Sequence, residues 1–261
     1  MYLNNIRKYA NVLSTPNNIL GIEYLKALKK LKSNITPISV TRNNVNHNDM
    51  QVVNGFASGT AIRQMINNRR FLDMRACLTD ISYKLIAECV QNGAIVGGLS
   101  SFEKEIIYTF RKMSVQEIAE LPDVTEGLEH SIKQAASSCN SIVEFVDLVK
   151  SKRYTSTRIQ RIALYALLGI TKKDMALSYK TDPYVRILGF NHKGQQLLSV
   201  ISNANPKLNI ITSVKKYMDE CNNKNQKLLL EKDIFASNVY TLGYSYDSFA
   251  NLDYTKKIVT L

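Results

Sequence analysis

Apolar positions in ILGIEYLKALKKLK, residues 19–32, recur at near-helical spacing, with Ile22, Leu25, Leu28 and Leu31 on one side and lysines on the other. The spacing predicts an amphipathic helix whose start signal is Pro16, Asn17 and Asn18, asparagine being a good cap. The pattern then changes period. ITPISVTR, residues 35–42, is rich in β-branched residues and predicts a short strand, with Pro37 putting it near an edge or delaying its start. The Asn-rich run RNNVNHNDMQVVNG predicts a loop, after which Ser58 or Thr60 opens a helix running to about Asn68. Helix, strand, loop and helix make one unit of an α/β sheet. One such unit cannot bury both faces of a parallel sheet, so the N-terminal region reads as incomplete.

From about residue 72 helical periodicity dominates. It predicts helices over 72–91, 101–111, 114–120, 125–138, 140–150 and 156–169, joined by short turns. YVRILGF, residues 184–190, predicts a strand, 194–202 a helix and 208–214 a second strand, which together form a small βαβ unit. A helix over about 215–240 and an extended tail follow. The change of character sets the expected domains: 1–71, the trailing part of an α/β domain, and 72–261, a mainly α-helical domain that carries the βαβ unit.

Charge narrows the partner. Lys and Arg number 34 against 22 Asp and Glu, a net charge of +12 with a pI near 9.4, which favours a polyanion. Nucleic acid leads, because no basic amphipathic helix with a Trp or Phe face suggests a membrane surface. The longest apolar run, IALYALLGI at 162–170, is far short of the ~20 residues of a membrane span. Residues 1–20 lack the apolar core and cleavage site of a signal peptide, so the expected location is the cytoplasm. Cys77, Cys89, Cys139 and Cys221 lie far apart without zinc-ligand spacing and read as reduced thiols.

Three constellations could carry chemistry. In FASGTAIRQMI, residues 56–66, a Ser-Gly-Thr turn opens a helix with Arg63 one turn on, an arrangement suited to holding phosphate. Neither G-x-G-x-x-G nor G-x-x-x-x-G-K-[ST] occurs in the chain. Asn17 and Arg42 can join Ser58, Thr60 and Arg63 beyond the carboxyl end of the expected strand, where open α/β sheets place ligands. The alternative is that Asn17 and Ser58 are ordinary helix caps and the arginines are solvated. The second is KSKRYTSTRIQR, residues 150–161, with Lys150, Lys152, Arg153, Arg158 and Arg161 and no acid. A helix from Thr155 or Ser156 would bury Ile159, Ile162, Ala163, Ala166 and Leu167, leaving Arg158, Arg161 and Tyr165 opposite. Such a face suits an RNA backbone, with Tyr154 or Tyr165 to stack on a base, or it is a solvated basic face. The third, Glu126, Glu129 and His130 in TEGLEHSIKQ, matches no defined metal motif, and acids in a first helical turn already suit the dipole. No metal site is expected, and His47 and His192 have no evident partner.

Four stretches taken together are more specific: STPNNILGIEY, SGTAIRQMI, VTEGLEHSIKQA, and KSKRYTSTRIQRIALYALLGITKKDM followed by PYVRILGFNHKGQQLL. In order and spacing they resemble the bacterial tRNA(Met) cytidine acetate ligase family, whose members are nucleotidyltransferase-like; the resemblance runs from about Leu13 to about Gly243. It implies a HIGH-type, Rossmann-like nucleotidyltransferase fold in the α/β part. It also implies activation of acetate by ATP to acetyl-adenylate and acetyl transfer to N4 of the wobble cytidine of elongator tRNA(Met), with Mg2+ accompanying ATP. By the same resemblance Asn17 and Arg42 contact ATP, Ser58, Thr60 and Arg63 serve its phosphates, and the basic 72–261 domain docks tRNA.

The sequence departs from the family in two places. The N-P-F-H-x-G-H type loop is absent, since His47, His130 and His192 are the only histidines and none forms H-x-G-H, so the catalytic residues stay unassigned. The loop after Arg42 has Asn46-His47-Asn48-Asp49 where the family tends to show Tyr-His-Asp. The resulting expectation is an N-terminally truncated member, completed by a longer natural chain or by a separately encoded N-terminal half. The alternatives are a non-catalytic RNA-binding remnant and a nucleotidyltransferase of the same fold with another acid or acceptor.

Overall fold

The computed structural model describes residues 12–40, 52–125, 127–246 and 248–261. Packing divides the chain into two units, Met1–Ala61 and Ile62–Leu261.

In the first unit a helix spans Pro16–Lys30. It starts earlier than the apolar spacing suggested, because Pro16 takes the first helical position, where its fixed φ helps and its missing N–H costs nothing. Thr15, extended at φ −113°, is the cap residue, so Asn17 lies inside the first turn rather than capping it. Lys29 and Lys30 in the last turn complement the negative dipole end. No residue of this helix is buried. The strand expected over 35–42 is not formed in its described part, 35–40, where Ile38 and Val40 are 88% and 89% exposed. A strand exists through its ladder to a neighbour, and no described residue pairs with this segment. Asn54 and Gly55, both at positive φ, make a tight turn that closes on paired Val53 and Phe56 backbones, the geometry of a two-residue hairpin loop.

The helix Gly59–Asn67 opens on Ser58 as expected. Beyond it, the single helix expected over 72–91 is broken into Phe71–Arg75 and Asp80–Gln91, since Thr79 accepts a hydrogen bond from Ser82 N and starts a new helix.

The helical core is built from the helices Glu103–Lys112, Val115–Ala119, Leu128–Ser138, Ile142–Val149 and Ser156–Leu168. Ile106, Phe110, Ile132, Phe145, Ile159 and Ile162 are fully buried, and the rings of Phe110 and Phe145 stack with centroids 5.0 Å apart. The helix ends are satisfied across the core. Lys133 donates to the carbonyls of Phe110, Arg111 and Met113 at 2.5–3.2 Å, while Arg111 donates to those of Ala136 and Cys139 at 2.7 and 2.8 Å. Each of two neighbouring helices thus places a cation on the carbonyl end of the other. Glu103 accepts from Ile142 N at 2.8 Å, covering a third helix start. Helix Lys172–Lys180 follows, held by a reciprocal Thr171–Asp174 cap that the apolar pattern alone did not reveal.

The last part is a small α/β lobe. Strand β1, Tyr184–Arg186, precedes β2, Gly189–Phe190; β3, Asn209–Ile211, and β4, Val259–Thr260, come later in the chain. β1 pairs in parallel with β3, Val185 opposite Ile210, and helix His192–Ala204 connects them. The strand expected over 184–190 is therefore two strands. Its second half turns away to pair in parallel with β4, so the expected extended tail is tied down. The helix expected over 215–240 is interrupted after Glu220, because Asn223 Oδ1 accepts from Asn225 N and Gln226 N and opens Lys224–Leu242. Fully buried Gln226 holds the lobe together, accepting from Asn209 and Tyr217 and donating to the Asp182 carbonyl. Burial and Asp233, which accepts the hydroxyl hydrogen bond, push the Tyr184 phenol far above its ordinary value and keep it neutral.

Candidate functional site

The helix start at Ser58 is built as the sequence suggested, but its serine is already used. Ser58 is 1% exposed, and its Oγ accepts from Ala61 N at 3.0 Å, capping the helix. Ala61 and Met65, one turn apart, are buried, whereas Arg63 between them faces solvent. Thr60 is half-buried, and both Ser58 and Thr60 make further interactions. Asn17 is exposed in the first turn of its own helix. Arg42, His47 and the other residues of 41–51, where the sequence predicts a loop, lie outside the described residues. The structure thus supplies a capped helix start with an exposed guanidinium one turn on, a geometry that can meet an anion.

The basic stretch folds as expected at its core and differently at its charges. Ile159, Ile162, Ala163 and Ala166 are buried, while Leu167 is only half-buried at the edge of the cluster. Arg158 donates through Nε and Nη2 to the Asp123 carbonyl at 3.0 and 2.6 Å, and through Nη2 to Thr125 Oγ1 at 3.2 Å. Arg161 donates through Nε and Nη2 to the Asp123 carboxylate at 3.1 and 2.9 Å. Asp123 itself sits at φ +65°, a left-handed conformation rare for a residue with a Cβ. Arg158 and Arg161 thus hold the turn at Asp123. Tyr154 is engaged as well, donating to the Thr125 carbonyl at 3.2 Å with Arg153 and Arg158 over its ring at 5.6 and 4.9 Å. Tyr165 packs against the helical core. Lys150 makes an exposed pair with Asp147 at 2.6 Å, Lys152 is exposed, and Arg153 is exposed with an additional interaction.

The acceptors Asp123 and Thr125 were missed at the sequence level. The signal was present in Pro122-Asp123, a turn dipeptide just before the helix at 128. Of the third constellation, Glu126 lies outside the described residues, and Glu129 and His130 approach to 3.9 Å. Among the described residues no group of three or more His, Cys, Asp and Glu side chains could hold a metal ion. No described helix is long and apolar enough to cross a membrane.

A family model described as HIGH Nucleotidyl Transferase matches residues 1–254. The chain is 35% identical over 98% of its length to the tRNA(Met) cytidine acetate ligase of Thermoanaerobacter pseudethanolicus, covering 62% of that protein. It is 36% identical over 97% of its length to the protein of that name from Caldanaerobacter subterraneus subsp. tengcongensis, covering 61%. The chain thus spans less than two thirds of the length of either relative. Among solved structures it is similar to Thermotoga maritima TmcAL in an apo form, with a TM-score of 0.86, 27% identity, and coverage of 95% of this chain and 61% of that one. The same protein bound with alpha-thio ATP gives a TM-score of 0.82 at 27% identity, over 95% of this chain and 60% of that one.

Proposed function

The chain belongs to the HIGH nucleotidyl transferase family, and from that premise we propose that it works in ATP-dependent acetylation of the wobble cytidine of elongator tRNA(Met). One observation carries the reading: 95% of the chain superposes on a relative bound with alpha-thio ATP. The identity of about a third to proteins named tRNA(Met) cytidine acetate ligase supports the acceptor.

In the first step an acetate oxygen attacks the α-phosphorus of ATP, and the bond to the bridging oxygen breaks to release pyrophosphate. In the second, N4 of cytidine attacks the acyl carbon, AMP leaves, and the nitrogen loses a proton. Departing pyrophosphate gathers negative charge, which a pre-positioned cation stabilises. Arg63 is that cation in this reading, exposed one turn into a helix whose dipole also favours an anion. By the family resemblance Ser58 and Thr60 serve the same phosphates, and Asn17 and Arg42 contact ATP. Mg2+ would accompany ATP and would neutralise charge on its phosphates.

Lys150, Lys152, Arg153, Arg158 and Arg161 are the RNA-facing cations of the basic stretch, Arg158 and Arg161 also fixing the turn at Asp123. Residues 1–71 are read as part of the nucleotidyltransferase domain and 72–261 as the tRNA-docking part. The reaction takes place in the cytoplasm.

Acetate-dependent exchange between ATP and labelled pyrophosphate, followed by mass spectrometry of tRNA(Met), tests the reading on the protein as purified from its own cells. Exchange that needs acetate, and acetylated cytidine at the wobble position, are expected. ATP binding without acetate-dependent exchange would refute the ligase assignment.

A further inference from the structure

Beyond the carboxyl ends of β1 and β3, the segment leading into β4 closes a cavity of about 180 Å³. Ligands of parallel sheets settle at that end of the strands. The lining carries three cations, Arg186, Lys256 and Lys257, against one anion, Asp253. Arg186 and Asp253 form an ion pair with only 23% and 17% of their side chains exposed. Such a pair gains little stability for its desolvation cost.

Two features of this pair point to a ligand. A guanidinium has five N–H donors, and among the described residues Arg186 uses only Nη2, on Asp253 Oδ1. The other Asp253 oxygen is buried without a hydrogen-bond partner. Unspent cationic donors beside two exposed lysines suit a phosphate, and a carboxylate short of a donor suits a sugar hydroxyl or a base amine. Lys256 and Lys257 also lie past residue 254, where the family match ends.

We propose that this cavity binds the phosphate and ribose of one ribonucleotide, using residues that neither the Ser58 helix start nor the 150–161 stretch employs. The phosphate belongs to an RNA chain or to a free nucleotide. Only the RNA source rests on the function proposed above.

The test titrates the 15N-labelled chain with cytidine 5′-monophosphate, with inorganic phosphate, and with a tRNA(Met) transcript, reading the amides of Leu188, Thr212, Lys256 and Lys257. The monophosphate should move these amides saturably and inorganic phosphate at least tenfold more weakly. Lys256→Gln combined with Lys257→Gln, both exposed and so safe for folding, should weaken the monophosphate at least tenfold. If transcript affinity also falls about tenfold, and its salt slope drops by about 1.4 for two lost contacts, RNA is the source. If the transcript binds both proteins equally while the monophosphate still needs the lysines, the source is a free nucleotide. Amides unmoved by the monophosphate, with transcript affinity unchanged in the double variant, overturn the site and leave the tRNA reading standing. Saturable shifts from the monophosphate in a protein that binds no transcript do the reverse.

Discussion

Replacing Arg158 by alanine should destabilise the helical unit rather than merely remove a surface charge. Its guanidinium makes two bonds to the Asp123 carbonyl, at 3.0 and 2.6 Å, and lies 4.9 Å from the Tyr154 ring centroid. Hydrogen bonds to a charged group contribute about 1.5–3 kcal/mol, and a partly exposed cation–π contact about 0.5–1 kcal/mol. Because the site is only half-buried, the lower part of that range applies, about 2–3 kcal/mol in total. Asp123 at φ +65° adds to the effect, since a residue with a Cβ holds that conformation only while its surroundings enforce it. For a unit of this size the loss is a fall in Tm of roughly 5–10 °C. Thermal unfolding followed by circular dichroism reads it directly. Arg161→Ala is the internal control, because its ion pair with Asp123 is exposed, 54% and 35%, and such pairs contribute less than about 1 kcal/mol. Arg158→Lys keeps the charge without the fork and should recover less than half of the loss. An Arg158→Ala protein that melts within about 2 °C of the parent would refute the clamp and return Arg158 to the solvated face.

Further expectations follow from the same geometry. Arg63→Ala in the protein as purified from its own cells should cut acetyl-adenylate formation roughly 100-fold or more, by analogy with single charge-stabilising donors, while leaving tRNA affinity nearly intact; unchanged adenylate yield in a rapid-quench assay would sink the phosphate role. Lys150→Gln with Lys152→Gln should flatten the log–log salt dependence of tRNA binding by about 1.4, measured by filter binding, and should leave Tm within about 1 °C because both side chains are exposed. Burial works to raise the Asp174 pKa, but hydrogen bonds from Thr171 and the nearby Lys232 outweigh it and hold the carboxyl below its ordinary value. The stability this gives is therefore full above the unfolded value near 4 and lost as pH falls through the lower folded value. Asp174→Asn should flatten stability against pH below about pH 4, and an unchanged urea midpoint profile there would contradict the cap.

The sequence by itself determined the local elements whose signals are short-range. Ser58 opening a helix, the buried stripe at Ile159, Ile162 and Ala163, and the strand, helix, strand order between Tyr184 and Ile211 each follow from a cap or a period inside one window. The motif order also pointed to a nucleotidyltransferase-like family, in agreement with the HIGH Nucleotidyl Transferase model that matches residues 1–254. Tertiary structure decided what those windows cannot contain. Ile35, Ile38 and Val40 have strand character but no ladder among the described residues, because pairing depends on a neighbour and not on propensity. Residues 184–190 divide between β3 and β4 because two distant strands compete for one segment. The basic run at 150–161 reads as a uniform charged face until Asp123, about 35 residues earlier, accepts from Arg158 and Arg161. Charge is a property of the side chain, but its availability to an outside partner depends on which acceptors the folded chain brings within about 3 Å.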